Sequence, residues 1–343
     1  ELNKIPNIFF KNYTTCVKNP NDSIIKIPSY FLGVDEIAIL LNANNPREIP
    51  VIENALKLCY IFTSKEGEVV KYKNDIIAKT LLDILTSGKN GTQIRDQVMA
   101  LLTQFNTDSL NLNTVIEQPG YNRTLKQCLN IDNQGKINNV SLIIDLLEKF
   151  SKINIEQVQI KKDFYYTLDD LYYALEFALM SEGKFNSSLI YDNVNNLKLR
   201  LHAIINSENK KLFEVNTFIT KEQYIKSLFS KNGQKAQIIN LELSGLDDRF
   251  ATVITKLLAK IFLDFTTSLE KRTSFPIHII IEEAHRYIKK DNDTSLIGYN
   301  IFDRIAKEGR KYGVLLGVIT QRPSELSETV LSQCSNFIVF KTF

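Results

Sequence analysis

Apolar positions follow two different rhythms along the chain, and the change between them divides it. From residue 34 to about 206 the spacing is helical. Ile37, Leu40 and Leu41 share one face, and Ile52, Ala55, Leu56, Cys59 and Tyr60 recur at i, i+3, i+4, i+7 intervals. The same period predicts helices over 75–86, 92–105, 140–150, 168–182 and 192–206, with a turn at Ser64-Lys65-Glu66-Gly67. Asn-rich sequence with Gly120 and Gly135 predicts long loops from Asn106 to Asn139, around one short helix near 123–130. Residues 34–206 therefore read as an all-helical subdomain, and residues 1–33, polar and without helical period, as an irregular segment. Tyr165, Tyr166, Tyr172 and Tyr173 fit either a stacking platform for bases or, as aromatics at helical spacing more commonly do, the core.

Across residues 207–343 strand-like runs alternate with helical ones. Strands are predicted at 236–243, 277–281, 314–320 and 336–340, and helices at 247–269, 297–311 and 325–333. Strand–helix–strand in this rhythm implies right-handed crossovers and a parallel sheet. The helix from Asp247 carries Phe250, Val253, Ile254, Leu257, Leu258, Ile261 and Phe262 on one broad apolar face, which needs a sheet to pack on. The β-branched run Ile277-His278-Ile279-Ile280-Ile281 reads as a central strand buried on both faces. The fold class is thus α/β, a parallel sheet with flanking helices beside a helical subdomain.

Chemistry in such sheets gathers at the carboxyl ends of the strands. One predicted strand ends in Glu282-Glu283, where one carboxylate suits the water shell of a Mg²⁺ and the other the attacking water of a phosphoryl transfer. Acidic residues also suit a helix's first turn, so the pair admits a plainer reading. Another strand ends in Thr320-Gln321-Arg322-Pro323. Gln321 beside a carboxylate would bond water or a γ-phosphate, or else would satisfy loop backbone. A third ends in Leu243-Ser244-Gly245-Leu246-Asp247, where capping of the next helix accounts for most of the motif. Arg310 and Lys311 precede Gly313, a placement that complements a helix C-terminus and equally suits an arginine reaching a neighbour's nucleotide. Lys289-Lys290 before Asp291-Asn292-Asp293-Thr294 reads as an ordinary solvated loop or a DNA-tracking one.

Composition narrows the classes. A net charge of +3 is too small for nucleic-acid binding through the whole-molecule field, which leaves local loops for that role and argues against a DNA-binding module without catalysis. Four scattered cysteines, three histidines and no H-E-x-x-H make a structural metal site improbable and fit a reducing cytoplasm. No apolar run is long enough to span a bilayer and no signal-peptide pattern opens the chain. The start at Glu1 and the end within an apolar run read as the ends of a piece of something longer.

Taken together, Ile281-Glu282-Glu283-Ala284-His285-Arg286-Tyr287, Ala306-Lys307-Glu308-Gly309-Arg310-Lys311-Tyr312-Gly313 and Thr320-Gln321-Arg322-Pro323 resemble the HerA family, hexameric ATP-driven DNA translocases of the HerA–FtsK group. The resemblance is specific over roughly 236–343. It is looser over 24–206, where Ile27-Pro28-Ser29-Tyr30-Phe31-Leu32 and the following helices are similar to the family's helical insertion. It implies a RecA-like core with a Walker B strand, Mg²⁺ and ATP at the boundaries of a ring of six, and duplex DNA through the centre. It also implies a partner such as a NurA-like nuclease or a sirtuin-like defence effector. In site terms it implies Glu283 as the catalytic carboxylate, Gln321 as sensor, Arg310 as the arginine acting across the boundary, Glu282 on the metal side, and Ser244 and Arg322 near nucleotide. The family's phosphate loop is not found, since no G-x-x-x-x-G-K-[ST] occurs among the thirteen glycines. Without its backbone cradle and lysine this polypeptide alone is expected not to hydrolyse ATP. The competing reading is a ring-forming scaffold that gathers effector subunits and uses nucleotide for assembly.

Overall fold

The computed structural model describes residues 9–151, 164–181, 188–289 and 300–340, apart from 18, 21, 44, 216 and 232. The chain opens with strands β1 (Phe10–Thr14) and β2 (Asp22–Ile24) and helix α1 (Val34–Leu40). Helices α2 (Glu48–Thr63), α3 (Gly67–Leu85) and α4 (Gly91–Gln104) follow. A small hairpin of β3 (Val115–Ile116) and β4 (Arg123–Thr124) leads into α5 (Leu125–Cys128) and α6 (Val140–Phe150). Then come α7 (Leu168–Ser181), α8 (Ser188–Ile205), α9 (Lys221–Phe229) and a short hairpin, β5 (Ser230–Lys231) with β6 (Gln234–Lys235). The last stretch is β7 (Ile238–Glu242), α10 (Asp248–Ser268), β8 (Ile277–Ile281), α11 (Ile301–Tyr312), β9 (Val314–Val318) and α12 (Glu328–Gln333).

These elements form two compact units, residues 1–49 with 208–343 and residues Pro50–Ser207. The second is helical apart from its hairpin. Within it α3 packs on α6 and α7 on α8, and Phe62, Phe105 and Phe177 meet with ring centroids 4.9–5.3 Å apart. The tyrosines divide: Tyr166 is buried, whereas Tyr165 and Tyr173 are exposed.

The first unit is mixed α/β with short parallel sheets. Residues 9–33 are not merely irregular, because β1 pairs in parallel with both β2 and β7. That strand was illegible because Phe10-Lys11-Asn12-Tyr13-Thr14 mixes polar and aromatic residues without a continuous apolar run. Strands β8 and β9 pair in parallel with Ile277 opposite Val314 and Ile281 opposite Val318. The expected single sheet is therefore two ladders among the described residues, β2-β1-β7 and β8-β9. A strand–helix–strand rhythm specifies parallel connections but not which strands become hydrogen-bonded neighbours.

Strand β8 also departs from the doubly buried pattern. Ile277 and Ile281 are buried, while His278 and Ile280 are exposed. Helices α10 and α11 pack on each other and against β9, covering one face. An unbroken isoleucine run promises apolar surface on both faces, but burial of each face depends on what packs there. Asn336–Phe340, expected as a strand, forms no strand, and Phe337, Ile338, Val339 and Phe340 are exposed. Its β propensity has no described neighbour to satisfy it.

Helix α10 buries the predicted stripe, including Phe250, Val253, Ile254, Leu257, Leu258 and Ile261. Asp247 caps it by accepting hydrogen bonds from Arg249 N and Phe250 N. Helix α11 starts at Asn300, whose side chain accepts from Phe302 N, and stops at Gly313 with φ 83°. That left-handed C-cap is one that glycine adopts without a Cβ penalty. Gly309 has a different duty: a Cβ there would lie 2.6 Å from Val314 O, so only a bare Cα lets α11 lie this close to β9.

Candidate functional site

The carboxyl ends of β8 and β9 lie side by side, and the ladder continues past both strands. Ile319 N donates to Ile281 O at 2.9 Å and Ala284 N donates to Ile319 O at 3.0 Å. Between those bonds sits Glu283, in the left-handed conformation with φ 48° and ψ 44°. That conformation costs an ordinary residue about 1–2 kcal/mol, so the flanking bonds must hold it. It turns the Glu283 side chain toward the neighbouring strand end, where Gln321 Nε2 donates to Glu283 Oε1 at 3.3 Å. The other carboxylate oxygen, Oε2, lies 3.4 Å from His285 Nδ1. His285 Nδ1 in turn lies 3.1 Å from Thr320 Oγ1, which also accepts from Arg322 N at 2.9 Å.

The structure thus brings Glu283 and Gln321 together. Glu282 is exposed beside them at the end of β8. Arg322 is exposed and bonds Glu325 at 3.2 Å rather than pointing to a partner at the strand ends. Ser244 is exposed after β7 and donates to Glu242 Oε1 at 3.2 Å. Its strand belongs to the other ladder, yet the two strand ends are tied. Arg286, three residues beyond Glu283, donates through Nε to Asp248 Oδ1 at 3.0 Å and through Nη2 to the same oxygen. These bonds lower the Asp248 carboxyl below its ordinary range and raise the Arg286 guanidinium.

Arg310 is not part of this cluster. It is exposed in the last turn of α11, beside the start of β9 rather than its end. The length of a five-residue strand, about 17 Å, separates that edge from Glu283. Lys289 is exposed, and Lys290 with 291–294 lies outside the described residues.

Among the described residues no cluster of three His, Cys, Asp or Glu could hold a metal ion. A Mg²⁺ carried mainly by phosphate oxygens and water asks the protein for only one or two carboxylates, and Glu282 is such a group. The donor set fits that ion and not a fully protein-caged one. No described helix is long and apolar enough to cross a membrane.

A carboxylate and a carboxamide in contact at adjacent parallel strand ends can together orient a water molecule for attack on phosphorus. No family model matches the chain. Curated relatives do. The DNA double-strand break repair helicase HerA of Sulfurisphaera tokodaii is 29% identical over 242 residues, 64% of this chain and 47% of the relative. HerA of Saccharolobus solfataricus is 38% identical over 112 residues, 32% of this chain and 22% of its own length. The chain is a homologue of HerA. A probable helicase of Methanocaldococcus jannaschii is also similar, 34% identical over 146 residues, 39% of this chain and 27% of the relative. The HerA-like chain spans less than half the length of each of these relatives.

The sequence alone places Glu283 and Gln321 at one edge but assigns His285, Thr320, Arg286 and Asp248 no role. His285 and Thr320 stand within the quoted motifs, where a titratable ring and a hydroxyl each flank a named site residue. The Arg286–Asp248 pair spans 38 residues and leaves no local signal.

Proposed function

We propose that this chain carries the hydrolytic edge of an ATP-driven DNA translocase of the HerA type. In this reading Glu283 polarises the attacking water and Gln321 senses the γ-phosphate. Glu282 faces the water shell of Mg²⁺, which when bound would neutralise charge on the phosphates. Ser244 and Arg322 flank the nucleotide. Arg310, at the opposite edge of the strands, serves the nucleotide of a neighbouring subunit in a ring of six. That placement suits a role in trans, since Arg310 does not reach the Glu283 of its own chain. Duplex DNA in the central channel and a nuclease or defence effector as partner rest on the resemblance to HerA. None of the 343 residues forms a G-x-x-x-x-G-K-[ST] loop, so the motor reading requires the phosphate grip to be supplied by further polypeptide. The domain division 1–33, 34–206 and 207–343 belongs to the same proposal, with the helical part as an insertion between a nucleotide-binding segment and the rest of a RecA-like core.

One observation carries the reading: the Gln321 amide donates to the Glu283 carboxylate across the paired ends of β8 and β9. ATP turnover by the intact protein, compared between wild type and Glu283→Gln, tests it. Turnover lost with nucleotide binding kept supports the motor; assembly and effector function intact in Glu283→Gln points instead to a scaffold.

A further inference from the structure

The Glu283 carboxylate has a neighbour on two sides, and the hydrolytic reading uses only one of them. Gln321 occupies Oε1, and the imidazole of His285 stands at Oε2. The His285 ring is mostly buried, whereas the Glu283 side chain is 45% exposed, so the ring is the fixed member of the pair. Two oxygens face its Nδ1. Glu283 Oε2 belongs to a carboxylate, which when ionised only accepts. Thr320 Oγ1 already accepts from Arg322 N and has a second lone pair available. The carboxylate favours a proton on Nδ1, and the hydroxyl can accept from it. Thr320 immediately precedes Gln321, so the ring stands beside the carboxylate and is bonded to the strand end that carries the amide.

We propose that His285 is a positioning residue for Glu283. Its Nδ1, hydrogen-bonded to Thr320 Oγ1 and 3.4 Å from Glu283 Oε2, limits the orientations open to the carboxylate and couples it to the position of the β9 end. With the amide bonded to Oε1 and the ring beside Oε2, Glu283 has a restricted set of orientations toward water, and a shift of the Thr320–Arg322 segment moves ring, carboxylate and amide together. This inference rests on the hydrolytic reading for its catalytic consequence, but the brace itself is a property of the ground-state structure.

Two measurements test it. The chain has three histidines, His202, His278 and His285, so long-range proton–nitrogen NMR of the imidazoles at alkaline pH resolves each ring. His285 is expected in the Nδ1–H form, moving toward the Nε2–H form in Thr320→Val and in Glu283→Gln. An Nε2–H ring in wild type, or one unmoved by either substitution, overturns the brace. In the intact protein with Mg²⁺ and ATP, His285→Phe should lower kcat roughly tenfold to a hundredfold, at or below the lower end of what a group that itself transfers the proton contributes. KM for ATP should hold within about threefold under the same substitution, as expected for a group that acts through another on the transition state. His285→Asn, whose amide replaces the Nδ1 donor, should recover most of kcat. Asn no better than Phe, or Phe without effect while Glu283→Gln is inactive, overturns the brace and leaves the ATPase reading standing. Turnover that survives Glu283→Gln, or is absent from wild type, defeats the ATPase reading instead, and the tautomer measurement then decides the brace alone.

Discussion

Gly309→Ala tests whether the glycine of the Lys307-Glu308-Gly309-Arg310 motif is structural. The added Cβ would stand 2.6 Å from Val314 O and 3.1 Å from Ile305 Cγ2. The first of these is backbone of β9, so relief requires α11 to move off the sheet rather than a side chain to rotate. Overpacking of this kind costs about 1–3 kcal/mol, and backbone contact belongs at the upper end. Ala returns about 1 kcal/mol of helix propensity relative to Gly. The net loss is about 2 kcal/mol, which for a unit of this size lowers Tm by roughly 4–8 °C. The control is Gly317→Ala in β9, whose Cβ would meet Ile280 Cγ1 at 3.6 Å, an ordinary contact. That variant should stay within about 0.5 kcal/mol of wild type. Thermal denaturation followed by circular dichroism reads both. A Gly309→Ala protein as stable as wild type, or less affected than Gly317→Ala, would refute the close-approach argument.

Burial drives the Lys256 ammonium down to about 8 from 10.5, with Glu36 partly opposing. The unfolded chain then holds a proton that the folded one has released, so stability should rise from about pH 8 to about pH 10 and stay at its lower level below that window, an effect of order 3 kcal/mol when complete. Tyr13, raised to about 12, and Tyr224, raised by burial, act oppositely above about pH 10, so the difference between wild type and Lys256→Met in denaturant melts is the clean readout, and parallel curves would refute it. Glu283→Gly should be more stable than Glu283→Ala by about 1 kcal/mol, because only glycine adopts φ 48° without strain; equal stabilities in urea melts would show the turn to be relaxed. If Arg310 acts across a boundary, co-assembled Arg310→Ala and Glu283→Gln subunits should regain ATPase activity that neither has alone, and mixtures as inactive as the separate variants would place Arg310 elsewhere.

The helices of the second unit, and α10 with its cap, were legible because apolar period and capping residues are local signals. The edge shared by Glu283 and Gln321 was legible because each closes a short, β-branched apolar run that reads as a strand. Pairing was not: β1 lacks an apolar run, and nothing local to Ile238–Glu242 shows that it bonds β1 rather than β8. Exposure of Ile280 and of Phe337–Phe340 was equally hidden, since a sequence run records apolar character and not what covers it. His285 escaped notice for a related reason, because its task depends on Thr320, 35 residues away.

The most direct test is the single-turnover rate of ATP cleavage in the intact protein, with nucleotide affinity measured alongside, for wild type and Glu283→Gln. Cleavage slowed by about 10²-fold or more with affinity unchanged is the predicted result. Cleavage at the wild-type rate would contradict the assignment of the β8–β9 edge as the hydrolytic site.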